Sequence, residues 1–377
     1  MKDKMKSRNI CALRSVAAAV CLALALAMAA PALRAQETKE KVTVDDVDRS
    51  FLVRLPKGYD AQQHYPVVVL LHGMNQDSED IERLTRFNEL ADKNGIIVVY
   101  PSALHGRWNV GVRPPDRRVT PMGPGRGGRR GGGYPGGGGG YPGGGYPGGG
   151  GGGGGYPGGG GGYPQGGGQQ QPEEKRAAPA DDVAFFNQML DYLPTKFSVD
   201  TSRIYAAGLS EGGLMSLRLG CALGDRIAAI AAVGAAMPKT MICLPQQPLS
   251  LVMINGTSDP VVPYGGGTEH NLGLAIVSVE DSAKAWSKID RCEEKPAKSK
   301  LPEREKGGME TRVDTYTGCQ QNATVVLYSV KGAGNTWPGG EQYEVEKTIG
   351  KTSQDLNAND VIWGVLVTKK IAKQDSK

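Results

Sequence analysis

Histidine is scarce in this chain: His64, His72, His105 and His270 are the only four among 377 residues. That scarcity leaves few candidates for a general base. No Cys-x-x-Cys pair and no paired histidines occur, so the ligand spacing of a zinc site is missing. A basic surplus is missing from most of the chain as well. The net charge is +5, and residues 1–35, with six Lys/Arg and one Asp, carry all of it. The remainder is near neutral, and its charge gives no reason to expect a nucleic-acid partner.

Residues 1–35 have the pattern of an export signal. Lys2, Lys4, Lys6, Arg8 and Arg14 form a basic leader, and an apolar run follows from Ser15 to Leu33. Small residues around Ala30-Pro31-Ala32 or Leu33-Arg34-Ala35 close it, as at a signal-peptide cleavage site. A retained anchor is the competing reading, since the run is long enough. Cleavage would remove Cys11 and Cys21 and leave Cys221, Cys243, Cys292 and Cys319. An even number in an oxidising compartment points to two disulfides. Three pairings are possible, and the local ones, Cys221–Cys243 and Cys292–Cys319, are the expectation.

Residues 121–172 are nearly all Gly, with Tyr-Pro pairs beginning at Tyr134, Tyr141, Tyr146, Tyr156 and Tyr163. Such a composition cannot pack a core, so the span 121–180 is expected to be a disordered insertion. Its Arg126, Arg129 and Arg130 resemble Gly-Arg segments of RNA-binding proteins. In an exported chain, a cell-wall or matrix contact through the tyrosines is the better reading. The flanks, 36–120 and 181–377, are read as two parts of one interrupted domain.

The flanks alternate strand and helix patterns. Arg49–Leu55 alternates like an edge strand, while Val67–Leu71 and Ile96–Tyr100 are continuous apolar runs of the kind buried on both faces. Ser78–Asn94 has helical spacing up to Gly95. Further helices are expected over Asp182–Phe197, Glu211–Leu223, Val277–Ile289 and Ala358–Thr368. Further strands are expected over Arg203–Ala207, Ile227–Val233, Leu249–Ile254, Glu310–Thr317 and Thr324–Val330. This order predicts an α/β fold, a mostly parallel sheet with helices on both faces.

Three short segments carry chemistry. Gly208-Leu209-Ser210-Glu211-Gly212 lies between a predicted strand and helix, the context that a G-x-S-x-G nucleophile turn requires. Small residues must flank so tight a turn, and the helix N-terminus offers N–H groups to a developing oxyanion. His72-Gly73 follows the strand Val67–Leu71. The oxyanion donors expected are the N–H groups of Met74 and Glu211, with His72 itself structural. Asp259 follows the strand Leu249–Ile254, where an acid would orient a catalytic histidine.

Together these segments resemble the secreted α/β-hydrolases grouped as polyhydroxybutyrate depolymerase-like, which include feruloyl esterases. The resemblance adds Val98-Val99-Tyr100-Pro101, Trp108-Asn109, Asp181-Asp182-Val183, Val262-Pro263-Tyr264 and Thr336-Trp337-Pro338-Gly339. It covers nearly all of the chain between the leader and the C-terminus outside the Gly tract. It implies the α/β-hydrolase fold, ester substrates and a triad of Ser210, Asp259 and a late histidine, and it supports paired cysteines. One position departs. Asn335 stands where that family carries the histidine, and an amide cannot take the serine's proton. Loss of a triad base costs about 10⁶-fold in rate. His270, in a Gly-rich loop after Asp259, is the candidate substitute base, ahead of His105.

The expectation is therefore an exported serine esterase acting through Ser210, impaired by Asn335. The alternative is a non-catalytic relative that binds a ligand or partner in the old cleft. Trp108 and Trp337 are candidates to stack on an aryl or sugar group, with buried packing the equal alternative for each. Serine chemistry of this kind implies no cofactor and no metal. Asn322-Ala323-Thr324 is a glycosylation sequon, meaningful only in a host that glycosylates exported proteins.

Overall fold

A computed structural model describes residues 36–112, 180–302 and 307–371. The leader expected over 1–35 and the Gly-rich insertion expected over 121–180, apart from Ala180, lie outside the described residues.

The sheet is built from β1 (Glu37–Val44), β2 (Val47–Arg54), β3 (Tyr65–Leu71), β4 (Ile97–Pro101), β5 (Val199–Leu209), β6 (Ala229–Val233), β7 (Ser250–Gly256), β10 (Ala297–Lys300), β11 (Thr311–Tyr316) and β12 (Val325–Val330). A separate two-residue hairpin pairs β8 (Gly267–Thr268) with β9 (Ala275–Ile276). The order across the large sheet is β1-β2-β4-β3-β5-β6-β7-β12-β11-β10. The central strands β4, β3, β5, β6, β7 and β12 run parallel, and antiparallel pairs flank them. Helices α1 (Ser78–Thr85), α2 (Phe87–Asn94), α3 (Asp182–Lys196), α4 (Glu211–Ala222), α5 (Val279–Ile289), α6 (Glu346–Ile349) and α7 (Ala358–Leu366) complete the chain. This is an α/β-hydrolase-like sheet.

Period-two alternation along the strands divides the core in two. Val67, Val69 and Leu71 face one cluster with Phe185, Phe186, Leu214, Leu217 and Trp286 of α3, α4 and α5. Val68 and Leu70 face the other, with Ile81, Leu84, Phe87, Ile362 and Leu366 of α1, α2 and α7. Both faces are covered, which is why these strands read as unbroken apolar runs.

Three expectations need correction. Arg49–Leu55 is not the edge, because β1 pairs along its whole length. The true edge, Glu37-Thr38-Lys39-Glu40-Lys41, is heavily charged, a composition that guards an open strand against foreign pairing and also hides it from an apolar pattern. The span Ser78–Asn94 is two helices. Asp77, not Ser78, caps the first, and Arg86 breaks the run with φ 53°. The carbonyl of Thr85 accepts instead from Asn359 Nδ2 at 2.8 Å, a tertiary partner invisible to local spacing.

The start of α3 is tied to the end of the first flank. Asp182 is buried and pairs with the buried guanidinium of Arg49, which lies 4.2 Å from the Phe185 ring centroid. Asp182 Oδ2 also accepts from the Asn109 N–H at 2.6 Å, and Asn109 Nδ2 donates to the Ala180 carbonyl at 2.8 Å. The chain on the two sides of 113–179 is joined here. Disulfides link Cys221 to Cys243 and Cys292 to Cys319. Asp182→Ala would leave Arg49 charged, buried and unpaired, and should cost about 3–5 kcal/mol. A urea midpoint within experimental error of the unaltered chain would contradict that account.

Candidate functional site

Ser210 sits between β5 and α4 with φ 56° and ψ −117°, a strained conformation for a residue with a Cβ. Its N–H donates to the Val233 carbonyl at 2.8 Å, and its carbonyl accepts from Leu214 at 3.0 Å. The strain is held by backbone crowding. A Cβ on Gly212 would come within 2.2 Å of the Leu71 carbonyl oxygen, and one on Gly208 within 2.3 Å of the Gly212 carbonyl oxygen. Only glycine fits at either position, which is the physical content of G-x-S-x-G here.

Beside this turn runs the loop after β3. His72 is fully buried, with Nδ1–H donating to the Gly73 carbonyl at 2.7 Å and Nε2 accepting from the Ala103 N–H at 3.0 Å. Both ring nitrogens are used, and burial pushes its pKa down. It shapes the loop as a neutral ring. The Gly73 N–H donates to Gln76 Oε1 at 2.8 Å. The N–H groups of Met74 and Glu211, by contrast, take no partner among the described residues. Both flank the serine turn.

Asp259 follows β7 and is buried. Its Oδ1 accepts from Val261 at 2.7 Å and Val262 at 2.8 Å, and its Oδ2 accepts from Asn335 Nδ2 at 2.8 Å. Asn335 Nδ2 also donates to the Gly234 carbonyl at 3.0 Å. Both of these partners are acceptors, so the amide nitrogen must face them. The backbone of Asn335 is pinned too. Its N–H donates to Ile349 at 2.6 Å, and its carbonyl accepts from the Tyr343 hydroxyl at 2.9 Å. Gly234 and Tyr343 had no readable signal in the sequence, since each acts through a contact made across the fold. The sequence-adjacent donors aside, Asn335 is the side chain that orients toward Asp259.

His270 is bound to the backbone just after Asp259. It is exposed, and its Nδ1 donates to the Pro260 carbonyl at 2.7 Å. It makes no hydrogen bond to Asp259 or Ser210. His105 is exposed in a short turn after β4. The two tryptophans follow the packing alternative. Trp108 is 4% exposed, stacks near His72 and Phe186, and donates Nε1–H to the His72 carbonyl at 3.0 Å. Trp337 is wholly buried, with Nε1–H donating to Asn359 Oδ1 at 2.8 Å. With their N–H groups satisfied in the core, both indoles are packing residues and neither offers a face to a ligand.

Burial also sets the electrostatics. It pushes Asp259 up to about 6, with Val262, Asn335 and Val261 drawing it partly back. It pushes Glu211 up to about 7 against the pull of Arg107, whose Nε lies 3.3 Å from Glu211 Oε1. Glu269, also buried, is raised for the same reason.

Gly212→Ala should cost about 3 kcal/mol or more, because the clash is with backbone that cannot swing aside. Unchanged thermal stability in that variant would show that the turn can relax. The raised carboxyls make a second expectation. Unfolded, such groups ionise near pH ~4. Between about pH 4 and pH 7 the folded chain therefore holds more protons than the unfolded one, and the stability these groups contribute falls as pH rises. Glu211→Gln should gain thermal stability relative to the unaltered chain as pH goes from 5 to 8, and a constant difference would refute it.

Residues 49–110 match the family described as Esterase PHB depolymerase, a span that contains the His72-Gly73 loop and ends before Ser210. The chain is 24% identical over 341 residues to NocK of Nocardia uniformis subsp. tsuyamanensis, named as an esterase, covering 88% of this chain and 82% of that one. It is 32% identical over 163 residues to feruloyl esterase B of Piromyces equi, covering 41% of this chain but only 29% of that protein. Among solved structures, the acetyl xylan esterase of Aspergillus awamori aligns over 79% of this chain and 94% of its own, with 13% identity and a TM-score of 0.45. By sequence the chain is similar to the PHB depolymerase esterases over residues 49–110 and to feruloyl esterase B, and its mostly parallel sheet is α/β-hydrolase-like.

Proposed function

We propose that this chain is an exported serine esterase in which Ser210 attacks an ester carbonyl and Asn335 limits the rate. The observation that carries the reading is the strained Ser210 turn beside two unpartnered N–H groups and a buried acid held toward Asn335. In the first step the Ser210 Oγ bonds to the carbonyl carbon while the N–H groups of Met74 and Glu211 hold the oxyanion. The ester C–O bond then breaks, the alcohol leaves, and water releases the acid from the acyl-serine. Each step needs a proton moved at Oγ. Asn335 keeps the hydrogen bond to Asp259 that a histidine would make, but it has no basic nitrogen to offer Ser210. His270 Nε2 takes no partner among the described residues, and the ring is held beside the Asp259 loop through Pro260 and Val261. The two disulfides support an oxidising, extracytoplasmic compartment.

A second reading, ligand binding without turnover, is favoured by the same amide. Both acceptors around Asn335 Nδ2 are satisfied, so the residue is built into the site as a structural amide. Hydrolysis of p-nitrophenyl acetate and methyl ferulate separates the two. Ser210→Ala should abolish any activity of the unaltered chain, and Asn335→His should raise kcat by about 10³-fold or more. Activity that survives Ser210→Ala would end the serine mechanism. An Asn335→His variant no faster than the parent would show that Asn335 is not what limits it, and loss of activity in His270→Ala would then identify the base.

A further inference from the structure

Three carboxyls cluster at the serine turn. Glu211 is 3%, Glu269 2% and Asp259 7% exposed. Each electrostatically feels its neighbours: Glu269 acts on both Glu211 and Asp259, and Arg107 acts on both Glu211 and Glu269. Two of the three are satisfied locally. Asp259 accepts from Val261, Val262 and Asn335, and Glu269 accepts from Asn271 at 2.9 Å and Leu272 at 2.6 Å. Glu211 is not. Its Oε2 is buried and has no hydrogen-bond partner among the described residues. Its Oε1 has a long contact to an Arg107 side chain that is 46% exposed, and the Trp108 N–H also draws on the carboxyl. The carboxyl thus lies one side chain below solvent, immediately after the serine.

An unsatisfied buried carboxyl oxygen is costly, and more so when charged. The group that relieves it must bring a hydrogen-bond donor. A neutral hydroxyl would satisfy the oxygen and leave the charge imbalance, since the three carboxyls here face only the Arg107 guanidinium and His270. A cation does both.

We propose that the cleft beside Ser210 receives a cationic group of its ligand, an ammonium or guanidinium carried by the ester, at Glu211 Oε2. This rests on the serine cleft being the ligand site, as proposed above, and it assigns Glu211 the choice of substrate class. Arg107 is a competing cation that holds the carboxyl when the cleft is empty.

Binding is measured by calorimetry at low salt on the full chain carrying Ser210→Ala, so that no ester turns over. Methyl 4-(aminomethyl)benzoate, cationic at neutral pH, is compared with its neutral twin methyl 4-(hydroxymethyl)benzoate and with methyl ferulate. The cationic ester should bind about tenfold or more tightly than its twin, as a charge-assisted bond outweighs a neutral one. Adding Glu211→Gln should erase the preference. Adding Arg107→Ala, with its fold checked by circular dichroism before titration, should widen it. Equal binding of the twins, a preference for the hydroxyl, or a preference that survives Glu211→Gln overturns the proposal. Methyl ferulate binding without cation preference overturns the cation site alone, whereas failure of all three esters to bind overturns the serine cleft as well.

Discussion

Backbone-on-backbone contact at the end of β3 governs this site. The N-terminus of α4 lies so close to the Leu71 carbonyl that residue 212 has no room for a Cβ, and Gly208 has none against the Gly212 carbonyl. That approach forces Ser210 out of the allowed regions for most residues and lifts it between the β3 loop and β6. The same contact places the N–H groups of Met74 and Glu211 around the serine. The parallel registry of β3, β5 and β6 then supplies the rigidity, since each strand is hydrogen-bonded on both sides. A turn that carries strain persists only when its surroundings over-determine it.

Around this turn the chain buries carboxyls that it does not fully neutralise. Asp259 is held by three N–H donors, and the third comes from the Asn335 side chain. That amide donates to the acid and carries no basic nitrogen. Glu211 and Glu269 add further acid with one exposed arginine against them. The acids around the serine turn outnumber the cations set against them.

Much of this was legible beforehand because the governing patterns are local. Continuous apolar runs marked β3, β4, β6 and β7, and the strand-turn-helix context located the serine. Asp259 was reachable from its place after an apolar strand, and the local disulfide pairs were open to expectation. The misses share a cause. β1 is a charged edge whose partner alone makes it a strand, and α1 and α2 part where Asn359, over 270 residues away in sequence, takes the Thr85 carbonyl. Whether Trp108 and Trp337 pack or meet a ligand stayed open in the sequence, which does not show where an indole N–H finds its acceptor.

The order of residues by itself determined the alternation of strand and helix, the glycine-flanked serine and the absence of a histidine at position 335, since each depends on neighbours within a few residues. Only the tertiary structure decided which N–H groups stay unpartnered, that Asn335 turns its amide nitrogen to Asp259, and that Glu211 is buried with an oxygen left over. Those facts depend on groups brought together from distant parts of the chain, where burial and hydrogen-bond geometry, rather than residue type, set the chemistry.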